Sequence, residues 1–137
     1  YGGLADKDLR SIAELKCSIA QIRYVQPGES IGYGRNFIAQ KKIKIGVIPF
    51  GYADGLQRSW ANGILKFYYK NYLLPTIGDI SMDSCTVDLS EINDISEGDD
   101  IYYFGEKRPI WKLAKELNTI PYEIMATLSR RIKRVYI

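Results

Sequence analysis

Apolar residues recur at short intervals through the first part of the chain, with Leu15, Cys17 and Ile19, then Ile22 and Tyr24, set among polar neighbours. This near-alternation is the mark of strands with one buried face. Followed by the stretch Glu29-Ser30-Ile31-Gly32-Tyr33-Gly34, it predicts two strands around a Pro27-Gly28 turn. Residues 43–53, IKIGVIPFGYA, are richer in β-branched side chains and almost continuously apolar, which predicts a central strand ending at residues 49–51. Residues 52–58 read as a loop, and residues 63–69 with 72–75 as a hairpin turning at Lys70-Asn71. Residues 85–89 alternate again, and Glu97-Gly98-Asp99 predicts a turn before a strand over residues 101–105.

The period changes only in the last third. Ile110, Leu113, Ala114 and Leu117 lie at helical spacing, and Pro121 opens a second short helix that runs to Leu128. Residues 132–137 predict a closing strand. The expected fold is mainly β, a Greek-key-like β-barrel or sandwich with a short helical pair near the C-terminus.

Composition narrows the chemistry. The 137 residues are 46% hydrophobic, enough for one domain with a sizeable core. Nineteen basic against sixteen acidic residues leave a net charge of +3, too even to argue for a nucleic-acid or membrane partner. The basic cluster Arg130-Arg131-Ile132-Lys133-Arg134 lacks an aromatic platform and reads as a solvated strand face. No apolar run approaches the roughly 20 residues that span a bilayer, and no signal-peptide pattern opens the chain. Cys17 and Cys85 follow neither metal-ligand nor redox spacing, which favours a reduced compartment. There is no histidine, so proton chemistry falls to tyrosine, lysine, cysteine or carboxylates. The chain begins at Tyr1 rather than methionine, so it is expected to be part of a longer polypeptide, with a site shared with other segments.

Taken one at a time, the candidate motifs are ambiguous. Gly32-Tyr33-Gly34 fits a strand with a loosened backbone as well as a presented phenol. Tyr52 leaves the end of the central strand, where loops carry binding residues, while Asp54 and Gly55 are explained by a turn. Ser81-Met82-Asp83-Ser84 lies between two apolar strands, and Pro121-Tyr122-Glu123 opens a helix. Either fits capping or ligand contact.

In order, the motifs Pro27-Gly28-Glu29-Ser30-Ile31-Gly32-Tyr33-Gly34, Ile48-Pro49-Phe50-Gly51-Tyr52-Ala53-Asp54-Gly55, Gly78-Asp79-Ile80-Ser81-Met82-Asp83 and Pro121-Tyr122-Glu123-Ile124, with Arg131-Ile132-Lys133-Arg134-Val135-Tyr136, closely resemble the C-terminal domain of the alanine racemases. The resemblance covers essentially the whole chain. It implies that residues 1–10, with Tyr1-Gly2, connect to a preceding (β/α)8 barrel, and that residues 11–137 form the C-terminal β domain. The barrel would hold pyridoxal phosphate on a lysine. The active site would lie at a head-to-tail homodimer interface, the C-terminal domain of one subunit covering the barrel mouth of the other.

Residue by residue, the resemblance implies that Tyr33 is the catalytic acid/base opposite the barrel lysine. A free phenol titrates near 10, so such a base needs positive charge or hydrogen bonds nearby. In the family these come from the barrel domain. Met82 would contact the substrate carboxylate through its backbone N–H. Tyr52, Arg58 and Asp83 would line the corridor by which substrate enters, and Tyr122 would bond the cofactor phosphate. No metal is implied. Two positions depart from the family pattern: Asp79 stands where an arginine is usual, and Lys133 where a proline is usual. The implied function is cytoplasmic interconversion of L- and D-alanine for peptidoglycan, with the isolated domain inactive. A serine racemase of the vancomycin-resistance type and a non-catalytic dimerisation or binding domain are the alternatives. An oligonucleotide-binding barrel is a third, and it would show strongly salt-dependent binding.

Overall fold

The structure is a computed structural model and describes residues 10–137. Of the expected connector, Tyr1-Gly2 and all but Arg10 lie outside the described residues. Nine strands and two helices follow in the order β1 (Leu15–Ser18), β2 (Gln21–Val25), β3 (Ser30–Ile31), β4 (Phe37–Ile38), β5 (Ile43–Ile48), β6 (Lys66–Tyr69), β7 (Tyr72–Pro75), β8 (Cys85–Asp88), β9 (Asp100–Phe104), α1 (Ile110–Glu116) and α2 (Pro121–Thr127). The mainly β fold with a late helical pair is as the hydrophobic pattern predicts.

Two antiparallel sheets carry the domain, in the orders β1-β9-β6-β7 and β2-β5-β8, and β3 pairs with β4 in a separate hairpin. They do not form one closed ladder. An isolated bridge from Thr76 to Val87 joins one pair of edges, and the chain itself passes from β1 to β2 at Ile19-Ala20. Ile19 donates its N–H to Asp99 O at 3.0 Å, and Ala20 donates to Val47 O at 2.9 Å, so consecutive residues serve different sheets. The single N-terminal strand expected before Pro27 is therefore two short ones.

The central strand is β5, flanked by β2 and β8. Its Ile43, Ile45 and Ile48 are buried, as the apolar run requires. The main core gathers Phe50, Phe67, Tyr103 and Phe104, with Phe50 edge-on to Tyr103 at 5.5 Å between ring centroids. Burial pushes the Tyr103 phenol up from its ordinary range. A second, smaller cluster of Val25, Ile31, Ala39, Ile43, Ile45 and Ile77 seats the β3–β4 hairpin. Arg108, almost wholly buried, donates to Lys66 O and pairs with Glu116, tying α1 to β6.

Two expectations are corrected. Residues 132–137 form no strand: they pair with no ladder, and Val135, Tyr136 and Ile137 are exposed. Their apolar composition suits a sheet, but a strand exists only where an edge accepts its N–H and C=O groups. The stretch Gly32-Tyr33-Gly34 is not strand either. It lies in the turn between β3 and β4, where Gly32 and Arg35 take φ of 77° and 54°.

Candidate functional site

The four motifs converge on the loop of residues 78–84, between β7 and β8. On one side lies the 3₁₀ turn Tyr52–Asp54, which leaves the end of β5. Tyr52 donates its N–H to Ser81 O at 3.0 Å, and Ala53 donates to Met82 O at 2.9 Å. Gly51 permits this approach. A Cβ there would lie 2.4 Å from both of those carbonyl oxygens, which no side chain tolerates. Ser81 Oγ donates to Ser84 O at 2.8 Å and closes the loop on itself.

A charged clamp crosses the same junction. Arg131 donates from Nε to Asp54 Oδ1 at 2.6 Å and from Nη2 to Asp54 Oδ2 at 3.0 Å. The same Nη2 reaches Asp83 Oδ1 at 2.8 Å. Asp54 also accepts the Gly51 N–H at 2.9 Å. Burial alone would raise the Asp54 carboxyl, but the Arg131 hydrogen bonds and the Gly51 N–H outweigh it and hold the group below the usual carboxylate range. Arg131, half-exposed, therefore bridges two carboxylates rather than lying on a solvated strand face.

The helical pair joins from a third direction. Gln57 Nε2 donates to Glu123 Oε1 at 3.1 Å, which links the segment bearing Arg58 to the residue after Tyr122. Ser129 donates its N–H to Asp54 O at 3.0 Å. Gly55, at φ 121°, approaches the Thr127 carbonyl so closely that a Cβ would lie 2.7 Å from its oxygen.

Onto this frame the structure places large exposed side chains. Tyr33 is 75% exposed, Tyr122 56%, Met82 54% and Tyr52 37%, although an aromatic or thioether of that size ordinarily seeks cover. Arg58 is exposed at the start of a second 3₁₀ turn, Arg58–Trp60. Among the described residues the hydroxyls of Tyr33, Tyr52 and Tyr122 make no hydrogen bond, and the Met82 N–H has no acceptor. An exposed phenol of Tyr122 is a suitable donor to a phosphate oxygen, and the free Met82 N–H to a carboxylate. Tyr52, Arg58, Met82, Asp83 and Tyr122 thus sit on directly linked segments. Tyr33 reaches the same loop through its hairpin, by way of Asn36 and Asp79.

Sequence reasoning missed two contributors. Asp54 reads as an ordinary turn residue, and Arg131 as one of several basic positions, yet together they lock the loop. A carboxylate buried to 6% exposure needs a partner, and that partner lies 77 residues along the chain.

Comparison with known proteins shows the family and the fold. Residues 12–136 match the family described as "Alanine racemase, C-terminal domain". An alanine racemase of Helicobacter pylori is 44% identical over 133 residues, which cover 94% of this chain and 35% of that protein. The chain thus spans about a third of the length of the curated relatives it matches. A crystal structure of alanine racemase from Bartonella henselae, with covalently bound pyridoxal phosphate, superposes with a TM-score of 0.90 at 32% identity over 98% of this chain and 38% of that one. Alanine racemase from Clostridium difficile superposes at 0.88 with 36% identity, covering all of this chain and 38% of that one.

Proposed function

The chain belongs to the alanine racemase family as its C-terminal domain, and from that premise we propose that Tyr33 supplies one of the two acid/base groups of a pyridoxal-phosphate-dependent alanine racemase. The observation that carries this reading is the placement of Tyr33. A bare phenol stands at the tip of a hairpin, between two glycines, on the same loop frame as Met82 and Tyr52.

Racemisation at an amino-acid Cα removes a proton from one face and returns it to the other, so two proton-transfer groups must flank the carbon. Pyridoxal phosphate, held by a lysine of a barrel domain, would supply the electron sink that makes that proton removable. Tyr33 Oη serves the face opposite the lysine, in the active site of the partner subunit. The Met82 N–H receives the substrate carboxylate and orients the Cα proton toward the phenol. Tyr52, Arg58 and Asp83 line the approach, and the Asp83 carboxylate accepts a hydrogen bond from Arg131. Tyr122 would help to hold the cofactor, its exposed phenol donating to the phosphate in its own subunit.

In this reading the enzyme works as a cytoplasmic homodimer and makes D-alanine for peptidoglycan. The test uses the complete protein. Tyr33→Phe is expected to lower racemisation of L-alanine about 10²- to 10⁴-fold while the bound cofactor's absorbance persists. Racemisation at the wild-type rate would contradict the assignment. Parallel assays with L-alanine and L-serine fix the substrate, a clear preference for L-serine being the result that overturns the alanine reading.

A further inference from the structure

The hairpin that carries Tyr33 has little of its own to hold it. Its ladder contains two residue pairs, Ser30 with Ile38 and Ile31 with Phe37, and is continued only at the base, where Gly28 donates its N–H to Ala39 O at 2.8 Å and Ala39 donates to Glu29 O at 2.9 Å. Ile31 is buried in the smaller core cluster, but residues 32–36 are all exposed. The tip closes on a single backbone hydrogen bond, from Arg35 N–H to Gly32 O at 3.3 Å, with Arg35 in the left-handed region. Two-residue strands with such a turn are weakly stable alone.

Among the described residues, one side chain from outside the hairpin makes a hydrogen bond to this tip. The half-buried Asp79 accepts a hydrogen bond at Oδ2 from Asn36 Nδ2 at 2.6 Å. The same oxygen fills the space beside Gly34, where a Cβ would come within 2.3 Å of it. A Cβ on Gly32 would lie 3.7 Å from the Asp79 backbone nitrogen, and one on Gly78 only 3.1 Å from Ile31 O. The segment of Gly78 and Asp79 therefore runs along the hairpin on both sides of Tyr33. Met82 follows three residues later, on the loop that the Arg131 clamp fixes.

We propose that Asp79 is a positioning residue for Tyr33: through its hydrogen bond to Asn36 and its fit against Gly34, it fixes the hairpin tip relative to the loop that bears Met82. This inference rests on the proposed role of Tyr33. A phenol that must meet a proton on Cα within hydrogen-bond reach loses rate steeply when displaced, and a misplacement of about 1 Å costs on the order of 10²-fold. Stability is a different matter, because the Asn36–Asp79 bond is open to solvent and orders only a few residues. The bond acts on the geometry of proton transfer and leaves the folding of the domain alone.

The experiment uses the complete, cofactor-loaded enzyme. Asn36→Asp sets two carboxylates against each other and is expected to lower kcat about 10- to 100-fold, with KM for L-alanine unchanged within about twofold. Asp79→Asn keeps an acceptor for the Asn36 amide and is expected to retain wild-type kcat. The double variant Asn36→Asp with Asp79→Asn reverses donor and acceptor and is expected to recover kcat, which a merely structural role would not give. Asp79→Ala, which removes the acceptor without adding charge, is expected to lower kcat with Tm and cofactor absorbance unchanged. Wild-type kcat in both Asn36→Asp and Asp79→Ala, or no recovery in the double variant, would overturn the inference. The Tyr33→Phe control separates the two claims. If that variant keeps activity, the catalytic reading itself fails, and if Tyr33→Phe is inactive while Asn36→Asp and Asp79→Ala keep wild-type kcat, the positioning role alone fails.

Discussion

The hairpin bearing Tyr33 and the junction bearing Met82 both present exposed side chains, yet they are held in opposite ways. The junction is backbone on backbone: two N–H groups of the 3₁₀ turn bond the carbonyls of residues 81 and 82, and Arg131 clamps two carboxylates across it. The hairpin is anchored at its base by the backbone bonds of Ala39, but beyond that it is a two-pair ladder whose tip has one side-chain brace. The contrast assigns different jobs to rigidity. In the proposed reading, the donor that would meet the substrate carboxylate is built into the fold, whereas the proton carrier is set on a light arm braced by one side-chain hydrogen bond. Damage to the junction should cost folding and activity together, and damage to the hairpin activity alone.

The sharpest way to break that contrast is at Gly51. Gly51→Ala drives a Cβ into two backbone oxygens that cannot move without breaking the loop, so it should destabilise by about 3 kcal/mol or more and abolish activity. Thermal unfolding of the complete protein checks this. A variant with wild-type Tm would mean that the junction is looser than its geometry.

Arg131→Met should act next most strongly, lowering Tm by several degrees at neutral pH because it leaves the Asp54 carboxylate buried without its main partner. The pH dependence has a defined sign. Asp54 has a lowered pKa in the folded state, so its pairing stabilises fully above the unfolded value of about 4 and is lost as pH falls through the folded value. The Tm difference between wild type and Arg131→Met should therefore be largest above about pH 5 and shrink as pH drops below about 4. A constant difference across that range would show that Asp54 is not the partner that matters. The smallest effect on stability belongs to Asn36→Asp and Asp79→Ala, whose Tm should stay within about one degree of wild type while kcat falls.

The parts of the fold legible in the sequence are those set by local period. Ile110, Leu113 and Ala114 are buried on one face of α1, and Pro121 stands at the first position of α2, as their spacing and backbone demand. Lys70 and Asn71 turn the β6–β7 hairpin where the apolar runs leave off. What stayed hidden depends on partners distant in the chain. Residues 132–137 have the composition of a strand but no edge to join. Gly-Tyr-Gly resembles a loosened strand until the positive φ at Gly32 and Arg35 bends it into a turn. Of the site, Tyr33, Tyr52, Arg58, Met82, Asp83 and Tyr122 come from the ordered motifs and their resemblance to a family. The clamp that links their loops does not, because neither Asp54 nor Arg131 carries a local signal of the other. Asp79 stands out in the sequence only as a departure from the family pattern, and its contact with Asn36, 43 residues away, gives it a structural meaning.

The central claim is that Tyr33 acts in the partner subunit's site, and a hybrid dimer tests it most directly. Complete subunits carrying Tyr33→Phe are paired with complete subunits whose barrel lysine is replaced, and the hybrid is purified through two different tags. Each parent homodimer lacks one essential group in both sites. If the phenol is supplied across the interface, the hybrid contains one site with both groups, and it should racemise L-alanine at about half the wild-type rate per dimer. If Tyr33 served its own subunit, both sites of the hybrid would be defective, and activity no higher than that of the parents would contradict the account.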